Sequence, residues 1–182
     1  MSVTLETIIT HMGAESSDII GFIRVQVAGL LAFVFVVAAI FRLKAFAQAQ
    51  NMMSSSQGEM KGVLIYLIIG AVLANFSLSQ ATLWRAIYET PGLLHWTGSG
   101  ISDISQSTKN FIGSFFDVLE IFGYIAFLRG ILIVGSLGKQ GAPHGTLGKA
   151  VTHVVAGLML INLPEAFQFF GTLFGFTVVG FS

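Results

Sequence analysis

The chain has 182 residues, of which 54% are apolar and only 10% charged, and its net charge is +0. A soluble domain carries roughly 25% charged residues, so an ordinary globular domain is excluded, and the neutral balance argues against the basic stripe of a phosphate-reading protein. There is no cysteine, which removes disulfides, thiolate metal sites and cysteine nucleophiles.

Residues 1–20 place Leu5, Ile8, Ile9 and Met12 on one helical face. That spacing predicts a short amphipathic helix lying on a membrane surface. Ser16 to Asp18 predicts a capping break before the first apolar stretch.

Four apolar stretches follow, each near the ~20 residues a helix needs to cross a bilayer. The first, Val25 to Phe41, is uncharged. The motif AFA at Ala45 to Ala47 resembles a signal-peptidase site. Its leader is acidic, however, and Arg42 and Lys44 sit on the wrong side of the apolar run, so a retained span is expected. The second stretch, Gly62 to Trp84, turns polar at Asn75, Ser77, Ser79 and Gln80, and that half should face protein or water. The third, Ile121 to Leu137, carries Arg129. The fourth, Val151 to Phe181, is broken by Asn162, Pro164 and Glu165. Proline removes a helix hydrogen bond, so this stretch is either kinked or split, with Glu165 near the start of its second half, where the helix dipole favours a carboxylate.

The expected fold is therefore all-α: integral membrane helical hairpins with about four apolar helices, the C-terminal pair joined by a basic glycine-rich turn. Residues 1–20 form the interfacial segment, 21–110 an N-terminal hairpin with an outer loop, and 111–182 a C-terminal hairpin. Arg42, Lys44 and Lys61 flank the first loop, and Lys139 and Lys149 the third. The positive-inside rule then places both termini outside the cytoplasm. Trp84, Tyr88 and Trp96 flank the middle loop on the outer side, where an aromatic belt is expected.

Candidate chemistry is sparse. Arg129 reads as a lipid-phosphate or inter-subunit anchor, or as a side chain snorkelling to the nearby loop. Asp117 and Glu120 lie on one face of the segment entering the third span, which suits an interfacial amphipathic turn better than an acid/base pair. The loop GKQGAPHGTLGK at Gly138 to Lys149 fails the P-loop spacing, with Pro143 where the first glycine belongs and Ala150 after the lysine. It reads as a compact basic turn whose Lys139 and Lys149 face lipid or a lumen. His11, His95, His144 and His153 lack ligand spacing, and His153 is expected to be a hydrogen-bonding histidine. Small residues mark packing faces: Ala28, Ala32 and Ala39 in the first span, Gly70 and Ala74 in the second, then Gly130, Gly145, Gly148 and the pair Gly171 and Gly175. No metal or cofactor is expected, with bound phospholipid the one candidate ligand.

The segment Gly123 to Asn162 is the most specific. Arg129-Gly130, LGKQGA at Leu137 to Ala142, GTLGKA at Gly145 to Ala150, Thr152-His153 and Ile161-Asn162 resemble the IcmC/DotE family of type IVB secretion systems, which includes the TraQ proteins of IncI-type conjugation. That family has no assigned active site. The resemblance implies a non-enzymatic structural subunit of a bacterial inner-membrane machine that moves DNA or effector proteins. Implied partners are the chain itself, other apparatus subunits and lipid, with contact to transported cargo but no specific nucleic-acid recognition. The hairpin from Phe111 onward also resembles a conjugative pilin, which would place the subunit in an extracellular filament. The competing expectation is a small ion or solute carrier using Glu165, Asp117 and Arg129.

Overall fold

The computed structural model describes residues 5–50, 57–88, 104–138 and 143–176, and these residues are almost entirely helical. In chain order they are α1 (Leu5–Ala14), α2 (Ser16–Phe22), a π-helical turn (Ile23–Val27), α3 (Ala28–Gln50), α4 (Gln57–Ala74), α5 (Phe76–Tyr88), α6 (Gln106–Ser136), α7 (Thr146–Ile161) and α8 (Leu163–Phe174). Two continuous helices, Ser16–Gln48 and Gln106–Ser136, are long and apolar enough to cross a bilayer, and the number rises to four if each of two bent pairs is one span.

The breaks have identifiable causes. Between α1 and α2 only Glu15 leaves the helix, and its backbone stays in the right-handed region. Ser16 therefore does not cap a helix start: its Oγ donates back to the Gly13 carbonyl at 2.6 Å. The start of α6 is capped by Ser105, whose Oγ accepts from the Thr108 N–H at 3.2 Å. This helix begins 15 residues before Ile121, since the polar approach containing Asp117 and Glu120 continues the helical register.

The second and fourth apolar stretches are not straight. Met60–Ala74 and Phe76–Ala86 meet at 98°, and Thr146–Ile161 and Leu163–Phe174 at 95°. Each corner holds an asparagine whose Nδ2 donates to the carbonyl one turn back: Asn75 to Ala71 at 3.4 Å, Asn162 to Leu158 at 2.9 Å. Each side chain bonds back to the carbonyl that its own backbone N–H also reaches, at 3.2 Å in both cases, the local side-chain-to-backbone pairing that competes with helix continuation. Pro164 and Glu165 then occupy the first turn of α8, where a missing N–H costs nothing and a carboxylate meets the positive end of the helix dipole. Gly175 ends α8 in the left-handed region, at φ 76°.

Close packing follows the glycines. A Cβ on Gly123 would lie 2.6 Å from the Ile161 nitrogen, and one on Gly130 2.7 Å from that of Val154. Gly157 in turn rests on the Phe127 backbone, so α6 and α7 run antiparallel with their main chains in contact. In the same way Gly70 of α4 sits against Val36 and Ala32 of α3. Ala28, Ala32 and Ala39 all face inward as their spacing predicts, whereas Ala74 is exposed. The shared core joins Ile20, Ile23, Leu73, Phe76, Tyr124, Phe127, Leu158 and Ile161. Trp84 belongs to that core at 3% exposure rather than to an outer aromatic belt, because the corner at Asn75 folds α5 back onto the protein. Tyr88's side chain and Trp96 lie outside what is described.

Gly157 and Gly148, both in α7, should separate sharply. Gly157→Ala drives a methyl into the α6 backbone and should cost about 1–3 kcal/mol. Gly148→Ala meets open space and should be neutral or stabilising by up to about 1 kcal/mol. Thermal unfolding of the two variants in one detergent, followed by circular dichroism, reads both effects.

Candidate functional site

Arg24 and Arg42 make side-chain hydrogen bonds to parts of the chain far away in sequence. Arg24 sits in the π-helical turn Ile23–Val27, a distortion common at functional positions. Its Nη2 donates to the Tyr124 hydroxyl, lies 3.6 Å from Glu120 Oε1, and its guanidinium stands 4.7 Å from the Tyr124 ring centroid. Tyr124 is fully buried, and its ring also contacts Phe76 at a centroid distance of 5.9 Å. One cation thereby ties the first long helix to the second. The Arg24 Nε is buried without a hydrogen-bond partner.

A second cation works at the opposite end of the bundle. Arg42 Nη1 donates to the Gly138 carbonyl, and its guanidinium lies 4.4 Å from the Tyr66 ring centroid. Gly62 and Gly138 leave the room this requires: a Cβ on Gly62 would lie 2.6 Å from the Gly138 oxygen, and one on Gly138 3.1 Å from the Tyr66 ring. The ends of α3 and α6 and the start of α4 meet here.

The residues singled out from the sequence are dispersed. Arg129 is exposed on α6, and Lys149 is exposed near the start of α7. Lys139 lies outside the described residues. Asp117 is half-buried on the wall of an open polar groove between α1 and α6, shared with Thr10, Gly13, Lys109, Asn110 and Ser114. Asp117 and Arg129 are twelve residues apart on one helix, which separates them by about 18 Å along its axis. Glu165 is buried at 4% exposure beside the Asn162 corner. His153 is half-buried, and its Nδ1 hydrogen-bonds to the Lys149 carbonyl at 2.8 Å. Among the described residues no three His, Cys, Asp or Glu side chains gather as a metal site would require.

The glycines divide by role. Gly130 gives close packing on α7, and Gly171 is buried. Gly145 and Gly175 serve turns at φ 84° and 76°, and Gly148 faces open space. Gly123 and Gly157, which also bring the α6 and α7 main chains into contact, carry no motif that marks them above other glycines in apolar sequence. Arg24 and Arg42 read in the sequence only as flanking charges. Their partners lie 100 and 96 residues away, and no local spacing announces them.

No family of known proteins, no curated protein and no solved structure matches this chain.

Arg24→Ala should remove an interhelical hydrogen bond and leave Glu120 without this cation, at a cost of about 1–2 kcal/mol. Exchanging the two as Arg24→Glu with Glu120→Arg should recover part of that loss if the ion pair contributes. A double-mutant cycle on detergent unfolding midpoints measures the coupling.

Proposed function

We propose that this chain is a structural subunit of a type IVB conjugative transfer or secretion apparatus. It resides in the bacterial inner membrane, built from two helical hairpins with both termini on the periplasmic side and the basic glycine-rich turn of the C-terminal pair in the cytoplasm. The resemblance of Gly123 to Asn162 to the IcmC/DotE family carries this reading. The distribution of charge supports it: the contact of Arg42 with Gly138 and Gly62 brings loop ends together, so Arg42, Lys44 and Lys61 collect at one end of the bundle. The positive-inside rule counts lysine and arginine, and these three favour a cytoplasmic face at this end, against Arg24 and Lys109 toward the other. The same subunit, withdrawn from the bilayer, would serve as a pilus or channel filament component, with phospholipid between copies.

The competing proposal is an ion or solute carrier. It needs Glu165, Asp117 and Arg129 on one path, and the axial separation of Asp117 from Arg129 disfavours a single site.

Deleting the gene from a donor should reduce DNA or effector transfer to background, and the intact gene should restore it. Full complementation by a chain carrying Asp117→Asn, Arg129→Gln and Glu165→Gln is expected of a structural subunit. Transfer at normal frequency without the gene would remove the proposed role, and failure of the triple variant alone, at normal abundance, would favour the carrier.

A further inference from the structure

The chain contains two copies of one architectural unit, and the way they pack leaves a matching pair of surfaces open. In each unit a long helix is followed by an antiparallel partner, a right-angled corner at an asparagine, and a shorter helix. The corners share a local pattern: GAVLAN at Gly70 to Asn75, and GLMLIN at Gly157 to Asn162. Their glycines cross the preceding long helix in the same manner. A Cβ on Gly70 would meet the Ala32 oxygen and the Val36 nitrogen, and one on Gly157 the Gly123 oxygen and the Phe127 nitrogen. Ala32 thus corresponds to Gly123, Val36 to Phe127, and Asn75 to Asn162.

The two long helices run parallel. Arg24 lies beside Glu120 and Tyr124, Phe35 beside Gly135, and Arg42 beside Gly138. The second unit lies against a stripe of the first formed by Gly62, Tyr66, Ile69, Leu73, Phe76 and Gln80, all buried. Of these, Tyr66 meets Gly138, Ile69 meets Gly135, and Phe76 meets Tyr124 and Phe127. The corresponding stripe of the second unit is Lys149, His153, Ala156, Leu160, Leu163 and Phe167, and none of these is buried. The α3 counterparts of the α6 docking residues, Phe33, Val36, Lys44 and Ala47, are likewise exposed. A two-fold relation would bury equivalent stripes equally. Unequal burial means that the units associate head-to-tail, with one donor face and one acceptor face left over.

We infer that a second copy of this chain fills that vacancy: its α3 stripe docks on the α7–α8 stripe of its neighbour, repeating between chains the interface found within one. Because the long helices are parallel, each added copy keeps the same orientation in the bilayer. The contact is heterologous, so it closes into a ring or continues as a filament. This inference rests on the membrane reading above but not on the secretion role.

The contact of Ile69 with Gly135 maps onto Ala156 of one copy and Lys44 of the next. Both positions are exposed, and the chain has no cysteine of its own, so Lys44→Cys and Ala156→Cys report on this pairing alone. In membranes of cells that lack any transfer apparatus, the double variant should oxidise to a ladder of dimer, trimer and larger species. Two single variants expressed together should stop at a dimer containing one of each. Dimers formed equally by Lys44→Cys alone would indicate a symmetric interface and overturn the inference. So would the absence of cross-linking in the double variant when both cysteines are shown by labelling to be accessible. Transfer frequency is not read in this experiment, so its outcome is independent of the secretion role.

Discussion

Main-chain contact between α6 and α7 is the constraint on which the rest of the arrangement depends. In a bilayer there is no hydrophobic force between helices, and association relies on close packing and interhelical polar contacts. Gly123, Gly130 and Gly157 let the two backbones touch along about two turns, and that contact fixes the axial register of the pair. With α6 so placed, one flank receives α1 through Gly13 and Ser114. Another flank presents Tyr124, Phe127 and Gly135 to Phe76, Phe35 and Ile69. A bulkier residue at any of the three glycines would move α7 outward and displace the core formed with Leu158 and Ile161.

The second organising feature is the pair of asparagine corners. Breaking a helix in an apolar environment leaves carbonyls without intrahelical donors, at a cost of several kcal/mol each if nothing replaces them. Asn75 and Asn162 keep their backbone N–H bonds to the Ala71 and Leu158 carbonyls at 3.2 Å and add a side-chain donor to each of the same oxygens. Both corners keep a backbone hydrogen bond from the residue four positions on, Ser79 to the Asn75 carbonyl at 2.8 Å and Ala166 to the Asn162 carbonyl at 2.9 Å, and only the corner at Asn162 is followed by a proline, Pro164. The corners turn α5 and α8 roughly perpendicular to α4 and α7. On α8 that orientation leaves Phe169, Phe170, Leu173 and Phe174 exposed, an apolar surface at home in the boundary between headgroups and acyl chains.

Hydropathy was enough to locate the apolar helices, and the Asn-Leu-Pro-Glu run was enough to locate the break in the fourth stretch. The corner in the second stretch was not legible. Its polar residues read as a protein-facing half of one helix, because an asparagine bonded to its own backbone has the same composition as one bonded to a neighbour. Trp84 leaves the expected belt for the same reason: once the helix turns at Asn75, a residue that would reach the membrane boundary enters the core. The cations that join helices were visible only as topological charges. The pairing of Arg24 with Tyr124 depends on the parallel alignment of two helices, which no spacing within either one encodes. Arg129 drew attention by its position inside an apolar run, yet the side chain points away from the bundle.

Charges in apolar helices are candidates for function by default, and what they are joined to distinguishes a conduit from a framework. A conduit gathers ionisable groups around a cavity, often at the interface between two repeats. Here Arg24 and Arg42 each engage an aromatic ring and a polar atom on another helix, at opposite ends of the same contact surface. They fasten the first unit to the second along its length. The repeats meet through a buried stripe of Tyr66, Ile69, Leu73 and Phe76, and the interface between them is a packed seam. In the assembly we propose, parallel repeats joined by such a seam would extend sideways from copy to copy while keeping one orientation.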